Sequence, residues 1–551
     1  MPFTLKIINN KAVKTIRSKE VVVLDMLSKK DEYKYFACRV NNRLRPLTYK
    51  IHYDAAVEFL DLSDVDAVSV YNRGLRYIFS MAVKRLYPNV DFKISYSVSR
   101  SMLVEPIDDD VIISDNAVEK IREEMQKIID ADFEFERMIV SPEEAVNFYK
   151  KFGYNDKIRI LEYRPEKTVH FYKCDDYLNY MYGIMVPSTG YLNKFNLINH
   201  SEGIILQYPR SEEKGEIPEF VDAPVFANTL KDTFRWGKLV GAGSVAGVNK
   251  FIENYGSTIF INMCEDRHNK QFVEIGDKIE ENINNIRLIC IAGPSSSGKT
   301  TFANRLRVEL LSRGINSIRI SIDDYYKTRD QVPLDKDGNY DFEDIKALDI
   351  ERFNKDMLSL VKGNEVTTPR FNFKTGKIEK GDTFKLTKDD VIIIEGIHAL
   401  NPILTSTISD KQKFQIYIAP VTQIYLDNQN PMSITDLRLL RRIVRDYKYR
   451  NSSPEETISM WPSVRRGEFK WIYDTQENAD YVFNSYLNYE LPVLKKYAEP
   501  LLKEIPSDSI YFPDAERLIR MLKYFKAVDD SLVPNNSIMR EFIGGSVYEK
   551  M

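Results

Sequence analysis

One segment constrains this chain more than any other. A short apolar run at 287–292 feeds directly into Gly293-Pro-Ser-Ser-Ser-Gly-Lys-Thr300, followed by Thr301. Residues 293–300 satisfy G-x-x-x-x-G-K-[ST], and each part has a physical task. Gly293, Pro294, Ser295, Ser296, Ser297 and Gly298 form a loop whose backbone N–H groups can wrap an anion. Lys299 supplies the neutralising charge, and Thr300 supplies a hydroxyl suited to Mg²⁺. Phe302, Leu306 and Leu310 continue at helical spacing, which places the anion at a helix N-terminus beside Thr301. A strand delivered into such a loop and then into a helix requires an α/β layer architecture.

At 551 residues the chain exceeds what one hydrophobic core serves, so several domains are expected. Hydrophobic content of 43%, charged content of 29% and a formal charge of -3 exclude a disordered chain and a generic nucleic-acid coat. No apolar run reaches the roughly 18 residues of a membrane span. Cys38, Cys174, Cys264 and Cys290 have neither metal spacing nor disulfide density, which predicts a reducing cytoplasm. His52, His170, His200, His268 and His398 are dispersed, so no zinc site is expected.

Residues 1–65 read as strands over 3–8 and 12–16, a helix-like patch over 21–27, and strands over 35–40 and 47–51 around Asn41-Asn42. This order predicts a small β-grasp module. From 66 to 215 the pattern becomes α+β. One helix ends at Arg85-Leu-Tyr-Pro88, another covers 117–129, and Ser141 with Glu144 forms a capping box that opens a third, with Pro142 at its first position. Residues 216–282 read as a connecting region with a Gly-rich turn at 241–247. From 283 to 490 strands alternate with helices, the signature of a parallel sheet, and 491–551 form a C-terminal tail.

Beyond the loop, an apolar strand over 318–322 ends in Asp323-Asp324-Tyr325-Tyr326, and another over 391–394 ends in Glu395-Gly396. Carboxylates at strand C-termini face the ligand crevice of an open α/β sheet. Asp323 is therefore the candidate general base, and Glu395 a candidate for the magnesium shell beside Thr300. Over 435–449, Leu437, Leu440, Val444 and Tyr447 fall on one side of a helix and Arg438, Arg441, Arg442 and Arg445 on the other. Such a cationic face, with Arg450 just beyond it, either clamps phosphates or is simply solvated.

Five ordered stretches resemble the uridine kinase and phosphoribulokinase group: residues 293–301, Ser321-Ile-Asp-Asp-Tyr-Tyr326, Asn339-Tyr-Asp-Phe342, Ile394-Glu-Gly-Ile397 and Arg441-Arg-Ile-Val-Arg-Asp446 with Arg450. The resemblance implies ATP- and Mg²⁺-dependent phosphorylation of a nucleoside 5′-hydroxyl. By position it assigns Asp323 as base, Lys299 and Thr300 to ATP and Mg²⁺, Asp341 to the ribose, Arg442 to the sugar, and Arg445 with Arg450 to a phosphate-facing lid. Tyr326, Phe371 and Phe373 complete the expected acceptor site. The chain departs from the family where uridine kinases read the base: Phe371-Asn-Phe373 is followed by Gly376, with no tyrosine hydroxyl and no histidine. Base choice is therefore open, and Phe371 and Phe373 serve either as platform or as core. Other acceptors, a small alcohol or a sugar phosphate, remain alternatives.

Residues 1–215 resemble the TGS module and second additional domain of threonyl-tRNA synthetase, through Ala82-Val-Lys-Arg-Leu-Tyr-Pro88, residues 121–129 and Val186-Pro-Ser-Thr-Gly190. The positions of that family's editing His and Cys residues hold Arg73, Tyr77, Met181 and Met185 here, so editing chemistry is not expected. The resemblance leaves open RNA contact through the TGS-like module, an RNA- or ribosome-associated regulatory role, and self-association into a homo-oligomer. The segment 532–546 is similar to the endings of kinase-like proteins with this N-terminal pair, and reads as a docking segment.

Overall fold

The computed structural model describes residues 2–548, apart from Asn10, Asp109, Glu202, Lys336, Asp337, Phe373, Lys374, Thr422 and Gln423 and the side chains of Tyr96, Ser97, Val98 and Asp474. Its first sheet is built from β1 (Phe3–Ile7), β2 (Ala12–Ile16), β4 (Ala37–Val40), β5 (Arg43–Arg45) and β7 (Ala55–Leu60), in the order β2-β1-β7-β4-β5. β3 (Val21–Val22) and β6 (Lys50–Ile51) pair separately. Phe3, Leu5 and Ile7 point inward at the period of two that a half-buried strand requires. The central pair, β1 and β7, is parallel.

The helix expected over 21–27 is absent. Val21 and Val22 form β3, and a single 3-10 turn follows at Leu24–Met26. Three consecutive β-branched valines lose side-chain freedom in a helix and pack better as a strand. The strand expected over 47–51 is also shorter, because Asn41 and Asn42, both at positive φ, turn β4 straight into β5.

Next comes α1 (Val65–Leu86), capped by Asp64, whose carboxylate accepts from Asp66 and Ala67 N–H. β8 (Phe92–Val98), β9 (Ser101–Pro106), α2 (Asp115–Asp130), β10 (Glu136–Val140), α3 (Pro142–Phe152), α4 (Asn155–Leu161), β11 (Val169–Cys174), β12 (Tyr177–Tyr180), β13 (Asn196–His200) and β14 (Gly203–Gln207) complete the α+β region. Its strands form two sheets, β10-β11-β12 and β13-β14-β9-β8. The capping box at Ser141 and Glu144 is formed.

The segment read as a connector folds into α5 (Pro224–Leu239), α6 (Val245–Tyr255) and α7 (Ser257–Glu281). α7 buries Phe260, Phe272, Ile275 and Ile279 in the same core as Phe302 and Leu306. Its apolar positions find the parallel sheet, which needs cover on both faces.

That sheet contains β15 (Leu288–Ala292), β16 (Ser317–Ser321), β19 (Val391–Glu395), β20 (Lys413–Ala419) and β23 (Tyr481–Asn484), in the order β16-β19-β15-β20-β23 and parallel throughout. Between these strands lie α8 (Lys299–Ser312), α9 (Ile350–Val361), the hairpin β17 (Val366–Asn372) and β18 (Lys377–Phe384), the small hairpin β21 (Tyr425–Asp427) and β22 (Asn430–Pro431), α10 (Ile434–Tyr449) and α11 (Pro454–Trp471). Every residue of β15 and β19 is buried. The chain leaves β15 toward one side of the sheet and later returns to build β20 on the other, so the loop at 293–298 lies at a topological switch point, where α/β sheets bind ligands.

The segment read as a tail holds α12 (Glu490–Lys503), α13 (Phe512–Leu522) and α14 (Arg540–Ile543). Ile538, Met539, Phe542 and Ile543 belong to the main core. Among the described residues no helix is long and apolar enough to cross a membrane.

Candidate active site

The loop is shaped from both sides. Gly293 lies so close to the Ile418 carbonyl that a Cβ there would collide, and Gly298 adopts φ +91, a left-handed conformation that glycine reaches without strain. From the lid side, α10 pins the loop carbonyls. Arg438 donates to Ser295 O at 3.0 and 3.1 Å, and Arg441 donates to Ser296 O at 3.2 Å. These bonds fix the conformation of the loop. The hydroxyls of Ser296 and Ser297 are buried with no partner among the described residues, which leaves them able to donate to an anion.

Lys299 Nζ folds back onto the loop, donating to Gly293 O at 2.9 Å and Pro294 O at 3.2 Å. Burial lowers its pKa against the opposing pull of Glu395, Asp323 and Glu541. Thr300 is exposed at the mouth of the helix. Thr301 N–H is occupied by the Glu541 carboxylate at 3.0 Å.

Asp323 sits in a 3-10 turn just past β16. Burial raises its pKa, and Lys299, Arg450 and Arg445 oppose the rise. Its neighbour Asp324 has a different task, accepting from Phe371 N–H at 3.3 Å and so tying β17 to the turn. Glu395 ends β19, buried and 3.3 Å from Arg319, with a pKa pushed up to about 7 by burial and then by Asp323. Thr300 and Glu395 offer the hard oxygen donors that Mg²⁺ takes. A hydroxyl and a carboxylate at the mouth of the loop are the donor types that suit this ion.

The arginines of α10 divide into two groups, which corrects the expectation of one open cationic face. Arg438 and Arg441 are buried and structural. The first is paired with Glu468, from Nη1 at 2.9 Å, and the second with Glu490, from Nη2 at 2.6 Å. Their face is covered by α11 and α12, whereas Tyr447, read as part of the packing face, is exposed. Arg442, Arg445 and Arg450 instead surround the buried carboxylate of Asp446 at 3.3, 2.7 and 3.5 Å. Arg442 also donates to Ser295 Oγ at 2.7 Å. Its pKa falls to about 10, first from burial and then from Arg445.

The acceptor side differs more from expectation. Tyr326 is buried and donates to Phe342 O at 2.9 Å, and Phe371 is buried against its ring at 5.7 Å. Both belong to an aromatic core that backs the site, so neither presents the open surface expected of a substrate contact. Phe373 lies outside the described residues. Asp341 accepts from Glu343 N–H at 3.2 Å and so shapes its own turn. Glu343 is the group that sequence reasoning missed. Its Oε2 is buried without a partner among the described residues, and its pKa is pushed up to about 7 by burial, then by Glu468, with Arg442 opposing and Asp323 adding to the rise. The acidic run 341–344 was the available signal, but nothing in it tells which carboxylate turns inward.

In the N-terminal half, Tyr77 donates to Tyr172 O at 2.7 Å, and Met181 and Met185 are buried in the local core. Arg73 donates to Ile184 O. These positions serve packing.

Residues 288–491 match the family model described as Phosphoribulokinase / Uridine kinase family. The N-terminal region is similar to threonine–tRNA ligases. That of Listeria monocytogenes is 33% identical over 167 residues, 30% of this chain and 26% of that protein. That of Desulforamulus reducens is 32% identical over 182 residues, 33% of this chain and 28% of that protein. The chain thus spans about a quarter of the length of these relatives. Among solved structures, a possible uridine kinase from Bacillus stearothermophilus is 21% identical with a TM-score of 0.26, covering 38% of this chain and all of that one. D-glycerate 3-kinase from Cryptococcus neoformans is 13% identical with a TM-score of 0.28, covering 37% and 89%. The C-terminal region thus matches the phosphoribulokinase/uridine kinase family model, and the N-terminal region is similar to part of threonine–tRNA ligases.

Proposed function

We propose that the kinase half transfers the γ-phosphoryl group of ATP to the 5′-hydroxyl of a nucleoside, giving the monophosphate and ADP. One arrangement carries this reading: Lys299 folds onto the phosphate-binding loop at Gly293 O, Arg442 donates to Ser295 Oγ of the same loop, and Asp323 stands in the turn just past strand β16. Asp323 takes the proton of the acceptor hydroxyl as its oxygen attacks the γ-phosphorus, and the bond to the bridging oxygen of ADP breaks. Glu343 accepts from acceptor hydroxyls, a role the family resemblance assigned to Asp341. Lys299, Arg445 and Arg450 hold the charge that spreads over the transferred group. Thr300 and Glu395 would hold Mg²⁺, which would supply further neutralisation of the phosphates.

Incubating the protein with ATP, Mg²⁺ and a panel of ribonucleosides, with mass spectrometry of the products, tests the proposal. No monophosphate from any purine or pyrimidine nucleoside would sink it. Because Phe371 is buried and Gly376 stands where uridine kinases carry a histidine, the base is read weakly. For that reason a small alcohol or sugar phosphate is the second acceptor class to include.

The division into a TGS-like β-grasp module (1–65), a synthetase-like domain (66–215), a helical connector (216–282), a kinase domain (283–490) and a tail (491–551) is part of the same reading, as is a role in cytoplasmic nucleoside salvage. The parallel pair β1 and β7 supports the first module. A separate observation favours RNA contact there: residues 1–65 carry twelve Lys and Arg against eight Asp and Glu, in a chain whose formal charge is -3. A gel-shift titration with tRNA tests it, and absence of binding at low salt would remove it.

A further inference from the structure

The first helical turn of a phosphate-binding loop leaves N–H groups that have no acceptor within the helix. In α8 the earliest intrahelical bond here runs from Phe302 N–H to Gly298 O at 3.0 Å, so Thr301 N–H stays available to a phosphate. It is not empty. Glu541, 240 residues later in the chain, places Oε2 on it at 3.0 Å. The same carboxylate acts on Lys299 and on Arg450, both groups assigned to phosphate.

The segment that carries Glu541 is held firmly. Ile538 is buried against Gly298, where an added Cβ would collide with it, and the guanidinium of Arg441 lies 4.8 Å from the Phe542 ring. Lys448 Nζ donates to Ile543 O at 2.6 Å. Arg540 donates to Asp530 O at 3.0 Å and to Gly544 O at 3.2 Å, closing the tail on itself. The backbone is thus anchored on both sides of position 541, and what can move is the Glu541 side chain.

We infer that Glu541 is an internal competitor for the donor nucleotide: its carboxylate occupies an N–H of the phosphate cradle and must swing away before a phosphate takes that place. The inference rests on the reading of 293–301 as the ATP site. A negative group held at a helix N-terminus satisfies the same partial charge that a phosphate would satisfy, and the two anions repel each other if both stay. The tail therefore sets donor affinity, keeping it below what the loop alone would reach. In the free protein it also satisfies a donor that would otherwise be open.

The test is calorimetric titration of Mg·ATP into the full-length wild type and the E541Q, E541A and K299A variants, with a thermal unfolding midpoint for each. E541Q keeps the shape of the side chain and removes its charge. E541A removes the acceptor as well and serves if the glutamine variant is poorly folded. Loss of a charge-assisted hydrogen bond and of the repulsion predicts roughly tenfold tighter Mg·ATP for both. K299A should bind far more weakly than wild type. If wild type binds, K299A does not, and the Glu541 variants bind equally or more weakly, Glu541 is a donor-site contact or a structural prop and the inference falls while the ATP-site reading stands. If wild type and both Glu541 variants show no binding, or K299A binds as tightly as wild type, the ATP-site reading falls and takes the inference with it.

Discussion

Lys157 in α4 and Asp427 in β21 meet at 2.9 Å with side chains 1% and 0% exposed, a buried ion pair that joins the N-terminal half to the C-terminal region that matches the family model. Asp427 also accepts from Asn430 Nδ2 at 2.8 Å and from Gln429 N–H at 3.0 Å. Around the pair, Asp156 accepts from Asn428 N–H at 2.9 Å and Arg76 donates to Gln429 O at 2.6 Å. The β21–β22 hairpin thus sits in a socket of the N-terminal half, directly before Ser433, the cap of the arginine-bearing α10.

Breaking that pair from one side strands a charge. Asp427→Ala leaves the Lys157 ammonium buried without its partner and should cost about 3–5 kcal/mol. Denaturant unfolding of the full chain measures it, and a loss below about 1 kcal/mol would show that the hairpin relaxes and admits water.

Asp323 carries the proposed proton transfer. Asp323→Asn should lower kcat by roughly 10²–10⁴ while Mg·ATP affinity stays within a few-fold of wild type. A near-normal rate in single-turnover assays would remove it as base.

Glu343 should govern the acceptor and not the donor. Glu343→Gln is expected to raise the acceptor KM by roughly tenfold or more, with little change in KM for ATP, since a hydroxyl then loses a charged partner. An equal effect on both substrates would point to general disruption.

The same residue makes stability depend on pH. Its folded pKa, about 7, lies above the ordinary 4.5, so the native state holds the proton more tightly than the unfolded chain. This contribution is fully present below about pH 4.5 and is lost as the pH rises through 7. Allowing for solvent screening, it amounts to about 1–2 kcal/mol. Urea midpoints at pH 5 and 8 for wild type and Glu343→Gln check it: the difference should shrink in the variant, and an unchanged difference would assign the slope to other groups.

Local features were legible because their causes are local. The loop at 293–300, its flanking strand and helix, and the capping box at Ser141 and Glu144 all follow from spacing within a few residues. The Val21 to Leu27 patch departs from the helix expected of it because apolar content alone does not separate a helix from a strand and a turn, whereas the valines' branching does.

Periodicity located α10 and its arginine row, but it could not say which arginines would be covered. That depended on Glu468 and Glu490 arriving from α11 and α12. The choice of Glu343 over Asp341 likewise depended on how a turn packs beneath α11, where Gly467 leaves room for the glutamate side chain. By itself the sequence determined that an anion-binding strand–loop–helix exists and where it starts, because those rules act between near neighbours. The tertiary structure alone decided which charges face that anion, why Lys157 meets Asp427, and that Glu541 reaches Thr301. Burial and charge pairing between distant residues are set only when the chain closes on itself.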